Sequence, residues 1–149
     1  MTTMRDRLKD EMKLAMKARE KVRLGAIRLM LAAIKQKEVD ERIVLDDQQV
    51  IAVLDKMLKQ RRESIKQYRD ASREDLAEVE EAEVLVIQDF LPQALTEEEV
   101  NDMVMSAIAD CSASSIKDMG KVMAALKPAM QGRADMAVVS TQIKAMLAA

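Results

Sequence analysis

Few side chains in this sequence have the types and spacing that catalysis needs. The chain contains no histidine and a single cysteine, Cys111. A cysteine nucleophile needs a base beside it, and histidine is the side chain that most readily serves near neutral pH, so Cys111 is interpreted as a small buried apolar residue. The sequence also lacks a glycine-rich phosphate loop and a nucleophile elbow. These absences predict no catalytic residue, metal site or cofactor, and they argue against an enzyme that works by itself.

Arginines and lysines offer a different chemistry, the binding of anions. Residues 13–37 carry eight bases and one acid, residues 56–73 carry seven bases and two acids, and residues 74–83 carry six acids and no base. The net charge is nevertheless only −2. We therefore expect cations to gather on one side of a slightly anionic molecule, which argues against a protein that coats nucleic acid indiscriminately.

The stretch KPAMQGRADMAVVS, which spans residues 127–140, interrupts a sequence that otherwise looks helical. Proline disfavours helical geometry in the residue before it, so Pro128 predicts that the preceding helix ends or kinks at Lys127. Gly132 suits the left-handed position that closes a helix. Asp135 is well placed to cap the next helix. We expect Pro128, Gly132 and Asp135 to form a structural turn.

Arg133 has no role in that turn and is a candidate for binding an anion. Its guanidinium is expected to be exposed, with Lys121 and Lys127 on the preceding helix and the N–H groups of the next helix nearby. Together these groups could hold a phosphate. The alternative, which the sequence leaves open, is an ordinary solvated arginine.

A second candidate anion site lies in the basic stretch before residue 74. Arg62, Lys66 and Arg69 are spaced to share one face of a helix, where they could contact a row of phosphates. The alternative is that these cations pair with neighbouring acids, including those of residues 74–83, in an ordinary surface network. Both interpretations stay open at the level of the sequence.

Helix is expected almost throughout, because Met, Ala and Leu are abundant while the chain has only three glycines and two prolines. Apolar residues recur at helical spacing, and helix starts are marked by Ser or Thr followed three residues later by an acid. The pairs are Thr3 with Asp6, Ser72 with Asp75, Thr96 with Glu99, and Ser115 with Asp118. Asp46 or Asp47 can cap a further helix. The first two helices show no clear break and could form one long, bent helix.

The expected fold is all-α with a domain boundary near Pro92, which cannot continue a helix. Residues 1–91 are predicted to form a bundle of about four helices, and residues 92–149 a small module of three shorter helices. The N-terminal stretch MTTMRDRLK is charged, and no apolar run reaches the roughly 18–20 residues of a membrane span. We therefore expect a cytoplasmic protein that does not enter a membrane.

Several segments resemble known proteins. MGKVMAALKPAMQGRADMAVVSTQIKAML, residues 119–147, resembles the C-terminal tail of GatB, a subunit of the tRNA-dependent amidotransferase. There, a similar turn leads into the last helix. MKAREKVRLGAIRLMLAAIKQKEVD (16–40), KQRRESIKQYRDASREDLAEVE (59–80) and FLPQAL (90–95) resemble the stand-alone bacterial YqeY proteins. The resemblance covers nearly the whole chain and implies a helical bundle followed by a tail module.

The GatB resemblance implies a part in holding tRNA, because the tail of GatB helps to hold tRNA while other domains catalyse amidation. The matching turn includes Gly132 and Arg133, preceded by Lys121 and Lys127. Nothing here corresponds to the GatB domain that binds metal and ATP. Carbon–nitrogen ligase activity with glutamine as amido donor is therefore expected only within a larger complex. The resemblance implies tRNA and amidotransferase or aminoacyl-tRNA synthetase components as partners.

A protein-docking adaptor that does not touch RNA is the alternative function. The thirteen methionines suit either an adaptable core or an adaptable binding groove, and their helical spacing favours the core. If RNA is bound, it must be recognised by shape and backbone. Tyr68 and Phe90 are the only aromatic residues, and two rings cannot stack several unpaired bases.

Overall fold

The computed structural model describes residues 2–148, and the all-α fold expected from the sequence is confirmed. In this range the chain forms seven α-helices, one short 3-10 helix and no strand. The helices are α1 (Met4–Lys17), α2 (Lys21–Glu41), α3 (Asp47–Asp70), α4 (Glu74–Phe90), α5 (Glu97–Asp110), α6 (Met119–Met130) and α7 (Met136–Ala148), with the 3-10 helix at Ile116–Asp118. Across residues 2–148, no helix has both the length and the apolar character to cross a membrane.

The starts of α1, α3 and α5 follow the capping pattern, whereas α2, α4 and α6 begin without a side-chain cap. The side chains of Thr3, Asp46 and Thr96 each accept a hydrogen bond from the backbone N–H of the residue three positions later. The side chain of that later residue in turn accepts a hydrogen bond from the backbone N–H of the capping residue. Ser72 does not cap α4, so that prediction is wrong. It has a left-handed φ of 58°, and the N–H of Arg73 donates to the carbonyl of Tyr68 (2.7 Å). Ser72 is thus used to close α3.

α1 and α2 are two helices rather than one bent helix. Arg19 has a left-handed φ of 58°, and the N–H of Glu20 donates to the carbonyl of Ala15 (3.0 Å). This pattern closes α1 in the way that usually employs glycine. Because an arginine stands at the left-handed position, the sequence carries no recognisable signal for the break.

The chain forms two compact units, the first ending at Leu91 and the second beginning at Pro92. Leu91 is extended (φ −87°, ψ 155°), since proline pushes the residue before it out of the helical region. In the first unit, α1–α4 pack around an apolar core whose largest fully buried members are Leu8, Ile27, Met30, Ile34, Leu54, Ile87 and Phe90. In the second unit, α5–α7 enclose a smaller core that includes Val104, Val122, Leu126, Met130 and Ile143.

Candidate nucleic-acid interface

A row of exposed cations runs along α3. Lys59, Arg62 and Lys66 are all exposed, and intervals of three and then four residues place them on one face of the helix. They extend over about 10 Å of the helix axis at about 1.5 Å per residue. Within residues 2–148, none of the three pairs with a carboxylate. These residues, called the α3 row below, include Lys59, which the sequence prediction omitted although its spacing was visible.

Arg69, predicted to belong to the same row, is held by carboxylates instead. Its Nε and Nη2 donate to the two oxygens of Glu74 (3.2 Å each), and Nη2 also donates to Glu81. These hydrogen bonds, that to Glu74 first, raise the pKa of Arg69. Because Nε and Nη2 are occupied by acids of α4, the charge of Arg69 is largely compensated, and we leave it out of the candidate surface.

Arg61 is on α3, and its side chain is paired in the same way with acids of α4. Its Nη1 donates to Glu80 (3.1 Å) and is 2.9 Å from Oε2 of Glu83. That oxygen of Glu83 is buried and, in the part of the chain that the structure describes, accepts no aligned hydrogen bond. Burial raises the pKa of Glu83, while the charge of Arg61 opposes this rise. For Arg61 and Arg69, the structure therefore contains the surface network that the sequence offered as an alternative.

The turn between α6 and α7 differs from the prediction at Pro128. α6 continues through Pro128 to Met130, because the φ that proline requires is also that of a helix and a helical residue before proline is disfavoured but not forbidden. A type II β-turn follows at Gln131 (φ −58°, ψ 128°) and Gly132 (φ 78°), and the N–H of Arg133 donates to the carbonyl of Met130 (2.8 Å). The third position of this turn requires positive φ, which explains the glycine.

Asp135 caps α7, as its position in the sequence predicts. Its Oδ1 accepts the N–H of Ala137 (3.0 Å), and its carbonyl accepts the N–H of Val139 (3.1 Å). A carboxylate therefore already occupies the positive end of α7, where a phosphate was expected to bind. The like charge of Asp135 would repel that phosphate.

Arg133 fastens two segments of the second unit together. Its Nε donates to the carbonyl of Gln93 (3.0 Å), and its own carbonyl accepts the N–H of Leu95 (2.8 Å). The pKa of Glu99 is lowered by the hydrogen bonds that this carboxylate receives from Thr96, and the charge of Arg133 lowers it further. The side chain of Arg133 therefore joins the segment before α5 to the turn before α7, and its contact with a phosphate stays a prediction.

The two lysines predicted beside Arg133 lie at opposite ends of α6. Lys121 is in the first turn, with Nζ 3.9 Å from Oδ1 of Asp118, whereas Lys127 is in the last turn. Six residues separate them, which is about 9 Å along the axis and about 120° around it. Both are exposed. They can contact separate phosphates, but α6 does not bring them to a single anion-binding point.

Across residues 2–148, no group of three or more His, Cys, Asp or Glu side chains is arranged to hold a metal ion. Cys111 is a half-buried free thiol at the edge of the second core, with its Sγ 3.8 Å from the carbonyl of Lys121. Its surroundings are those of a packing residue.

Comparison with protein families identifies the chain. Residues 5–147 match the model of the family described as Yqey-like protein, and this span is nearly the whole sequence. The chain belongs to the YqeY family. The resemblance to YqeY proteins that the sequence motifs carried is thereby confirmed.

Fungal proteins named "Altered inheritance of mitochondria protein 41, mitochondrial" are similar to this YqeY chain. That of Pyrenophora tritici-repentis is 30% identical over 146 residues, which cover 96% of this chain and 80% of the relative. That of Vanderwaltozyma polyspora is 39% identical over 85 residues (56% of this chain, 46% of the relative). That of Kluyveromyces lactis is 35% identical over 111 residues (72% and 60%). The matches thus span less than two thirds of the last two relatives.

The expectation of a cytoplasmic location is wrong in the light of these YqeY relatives, whose names call them mitochondrial. That expectation rested on a charged N-terminal stretch and on the lack of an apolar signal segment. Such features do not separate the cytoplasm from an organelle interior, because targeting segments for mitochondria are themselves charged and amphipathic.

Proposed function

We propose that this YqeY protein is a non-catalytic accessory that binds structured RNA, tRNA in particular, through backbone phosphates. The observation that carries the proposal is the α3 row. Arg61 and Arg69 on the same helix are paired with acids of α4. In the part of the chain that the structure describes, the α3 row has no carboxylate partner, so its three positive charges remain exposed to an incoming polyanion.

Recognition through phosphates suits the side chains that are present. Phe90 is 2% exposed, and its ring lies beneath the guanidinium groups of Arg7 (4.9 Å) and Arg23 (5.4 Å). Tyr68 is half-buried. With no open aromatic platform among residues 2–148, affinity must come mainly from the counterions that RNA releases when lysine and arginine neutralise its phosphates. We expect binding of micromolar strength or weaker that declines steeply with salt.

The second unit would add phosphate contacts at Lys121 and Lys127, which are exposed at the two ends of α6. The resemblance of residues 119–147 to the GatB tail supports tRNA as the RNA and an amidotransferase or synthetase complex as the setting. Any carbon–nitrogen ligase chemistry would belong to other subunits of that complex. Gly132 and Arg133 would contribute indirectly, by holding the turn in shape.

The test compares two triple variants that lose the same charge. Lys59→Gln, Arg62→Gln and Lys66→Gln together remove the α3 row. The matched control replaces three exposed lysines of α1 in the same way, Lys9→Gln, Lys13→Gln and Lys17→Gln. Glutamine preserves helix propensity in both. Fluorescence anisotropy of labelled tRNA would be measured at salt concentrations between about 50 and 200 mM.

Loss of the α3 row is expected to weaken tRNA binding at least ~tenfold at low salt and to reduce the slope of log affinity against log salt by about 2–3, one unit for each lost phosphate contact. The control should retain most of the affinity. An equal loss in both variants would contradict the assignment to α3. Absence of tRNA binding by the unaltered protein at low salt would contradict the RNA proposal itself and favour protein docking.

A further inference from the structure

An apolar groove of about 830 Å³ lies between α2 and α4 in the first unit. Its apolar lining consists of Val22, Gly25, Ala26, Leu29 and Ala32 on α2 with Val79 and Ala82 on α4. Val22 and Val79 are each 59% exposed, and Leu29 is 45% exposed. This surface, called the α2–α4 groove below, shares Ala26 with the core of the first unit and is otherwise formed by residues outside that core, and the proposed RNA contacts do not use it.

The exposed side of α2 has the spacing of a helix-packing surface. Val22, Gly25, Leu29 and Ala32 recur at intervals of three and four residues, as residues do where one helix packs against another. The opposite side of α2 is also apolar and lies in the core of the first unit. A helix that is apolar on both sides is expected to be covered on both. Within residues 2–148, only the inner side of α2 is covered.

The two walls of the α2–α4 groove carry opposite charges. The α2 wall bears Lys21 and Arg28, seven residues apart, whereas the α4 wall bears Asp75, Glu78 and Glu83. Asp75 accepts hydrogen bonds from Arg73, and Glu83 lies 2.9 Å from Arg61, so among the described residues Glu78 is the carboxylate of this wall that has no such partner. Nucleic acid or an anionic membrane would be repelled by the carboxylates of α4. The occupant must therefore present an apolar strip with one acidic and one basic flank.

We propose that the α2–α4 groove is covered by the same groove of a second copy of this chain. In a two-fold dimer the same patch meets itself. If the axis runs along the helices, α2 of each copy lies opposite α4 of its partner, and each basic wall faces an acidic one. Pairing α2 with α2 would instead oppose like charges. The chain itself thus has the complementary pattern that the groove requires.

Small residues permit the close helix approach that this dimer needs. Gly25, Ala32 and Ala82 line the α2–α4 groove with little side-chain bulk. A Cβ at Gly25 would meet no atom of its own chain within 4 Å, so packing inside the first unit does not require glycine there. The stretch from Lys21 to Ala32 is only about 17 Å long. An interface of this length implies a weak dimer with micromolar dissociation.

Sedimentation velocity of the full chain from about 5 to 500 μM would test the dimer across the range expected for a small interface. We expect the mass to rise from 16.7 kDa towards twice that value. Gly25→Gln should fill the groove and weaken association at least ~tenfold, whereas Gly25→Ala, the matched control, should change it less than ~threefold. Both variants replace a helical glycine with a better helix former, so both should raise thermal stability, and a lost dimer cannot be attributed to unfolding.

Charge reversal tests the pairing of unlike walls. Arg28→Glu cancels the net positive charge of the α2 wall, and Glu78→Lys reduces the negative charge of the α4 wall, so each variant alone should associate more weakly than the unaltered protein. A mixture of the two should associate again, because the new acid at position 28 of one copy then faces the new base at position 78 of the other. Failure of the mixture to associate, or a dimer unaffected by Gly25→Gln, would overturn the proposal. A chain that stays monomeric over the whole concentration range would also overturn the proposal. The occupant of the groove would then be a helix of another protein.

Discussion

Arginines in two regions of this protein are held in different ways. On α3, Arg61 and Arg69 reach carboxylates of α4. In the second unit, Arg133 donates to the backbone carbonyl of Gln93. The first arrangement neutralises charge, whereas the second uses the guanidinium for its hydrogen-bonding geometry. The availability of an arginine to RNA therefore depends on which acceptor the fold brings to it, and neither a basic stretch nor a turn position reveals that acceptor.

The paired arginines also differ among themselves in how far their partners are buried. The side chains of Arg61 and Glu83 are 23% and 20% exposed, whereas those of Arg73 and Asp75 are 55% and 66% exposed. Water and salt screen an exposed pair, while a buried carboxylate depends on its counter-charge. We therefore expect the effects of substitution to fall in the order Arg61, Arg133, Arg73.

Replacing Arg61 with methionine should have the largest effect. The change leaves the buried Oε2 of Glu83 without its counter-charge, and we expect a loss of about 2 kcal/mol in the free energy of unfolding near pH 7. Tyr68, the single tyrosine of the chain, lies in the first unit and reports on it. Urea unfolding followed by tyrosine fluorescence measures the loss.

The loss should depend on pH in a defined direction. Burial raises the pKa of Glu83 above its usual 4.5, and removing Arg61 raises it further, since the charge of Arg61 holds it down. A carboxyl with a raised folded pKa binds more protons in the folded state, so stability falls as pH rises through and beyond the unfolded value. The deficit of Arg61→Met should be smallest near pH 4 and grow towards pH 7. Adding Glu83→Gln should remove this dependence, and a deficit independent of pH would contradict the explanation.

Arg133→Lys should have a smaller effect that sharpens the contrast between the two regions. Lysine keeps the charge but lacks the fixed Nε donor to the Gln93 carbonyl, so we expect a cost of about 1 kcal/mol. Hydrogen exchange across α5–α7 should become faster. Lys127→Arg, a change at an exposed position of the same unit, is the control. Unchanged exchange together with weaker tRNA binding would show that Arg133 is a phosphate ligand instead.

The backbone of the α6–α7 turn could largely be predicted from residue types. The positive φ of Gly132 and the cap formed by Asp135 both follow from local geometry, so a single sequence carries their signals. The partner of Arg133 could not be predicted, because Gln93 lies 40 residues away and its carbonyl is brought near by the packing of the second unit. Of the two outcomes expected at Lys127, an end or a kink, the end is wrong, because a proline in a last turn disfavours helix without forbidding it.

On α3 and α4, helical spacing could predict which residues share a face but not which of them are neutralised. The carboxylates that accept hydrogen bonds from Arg69 belong to the next helix, so the pairing of Arg69 depends on how α3 and α4 pack. Ser72 and Thr96 show the same limit for caps. Both precede an acid by three residues, but Ser72 was needed in a left-handed position to close α3, and only Thr96 caps a helix. Whether a capping motif or a basic stretch takes its expected role depends on residues outside that motif.

Arg73→Gln should have the smallest effect of the three. The guanidinium of Arg73 donates two hydrogen bonds to Asp75 (3.1 Å each), and they lower the pKa of that carboxyl. Both side chains are largely in water, so the pair is screened and no change in the urea midpoint is expected at physiological salt. Any small contribution should exist only above the ordinary pKa of aspartate and vanish as pH falls. If Arg73→Gln destabilised the first unit as much as Arg61→Met, burial of the carboxylate partner would not determine how much each arginine contributes to stability. The distinction between paired and available cations on α3 would then lose its physical basis.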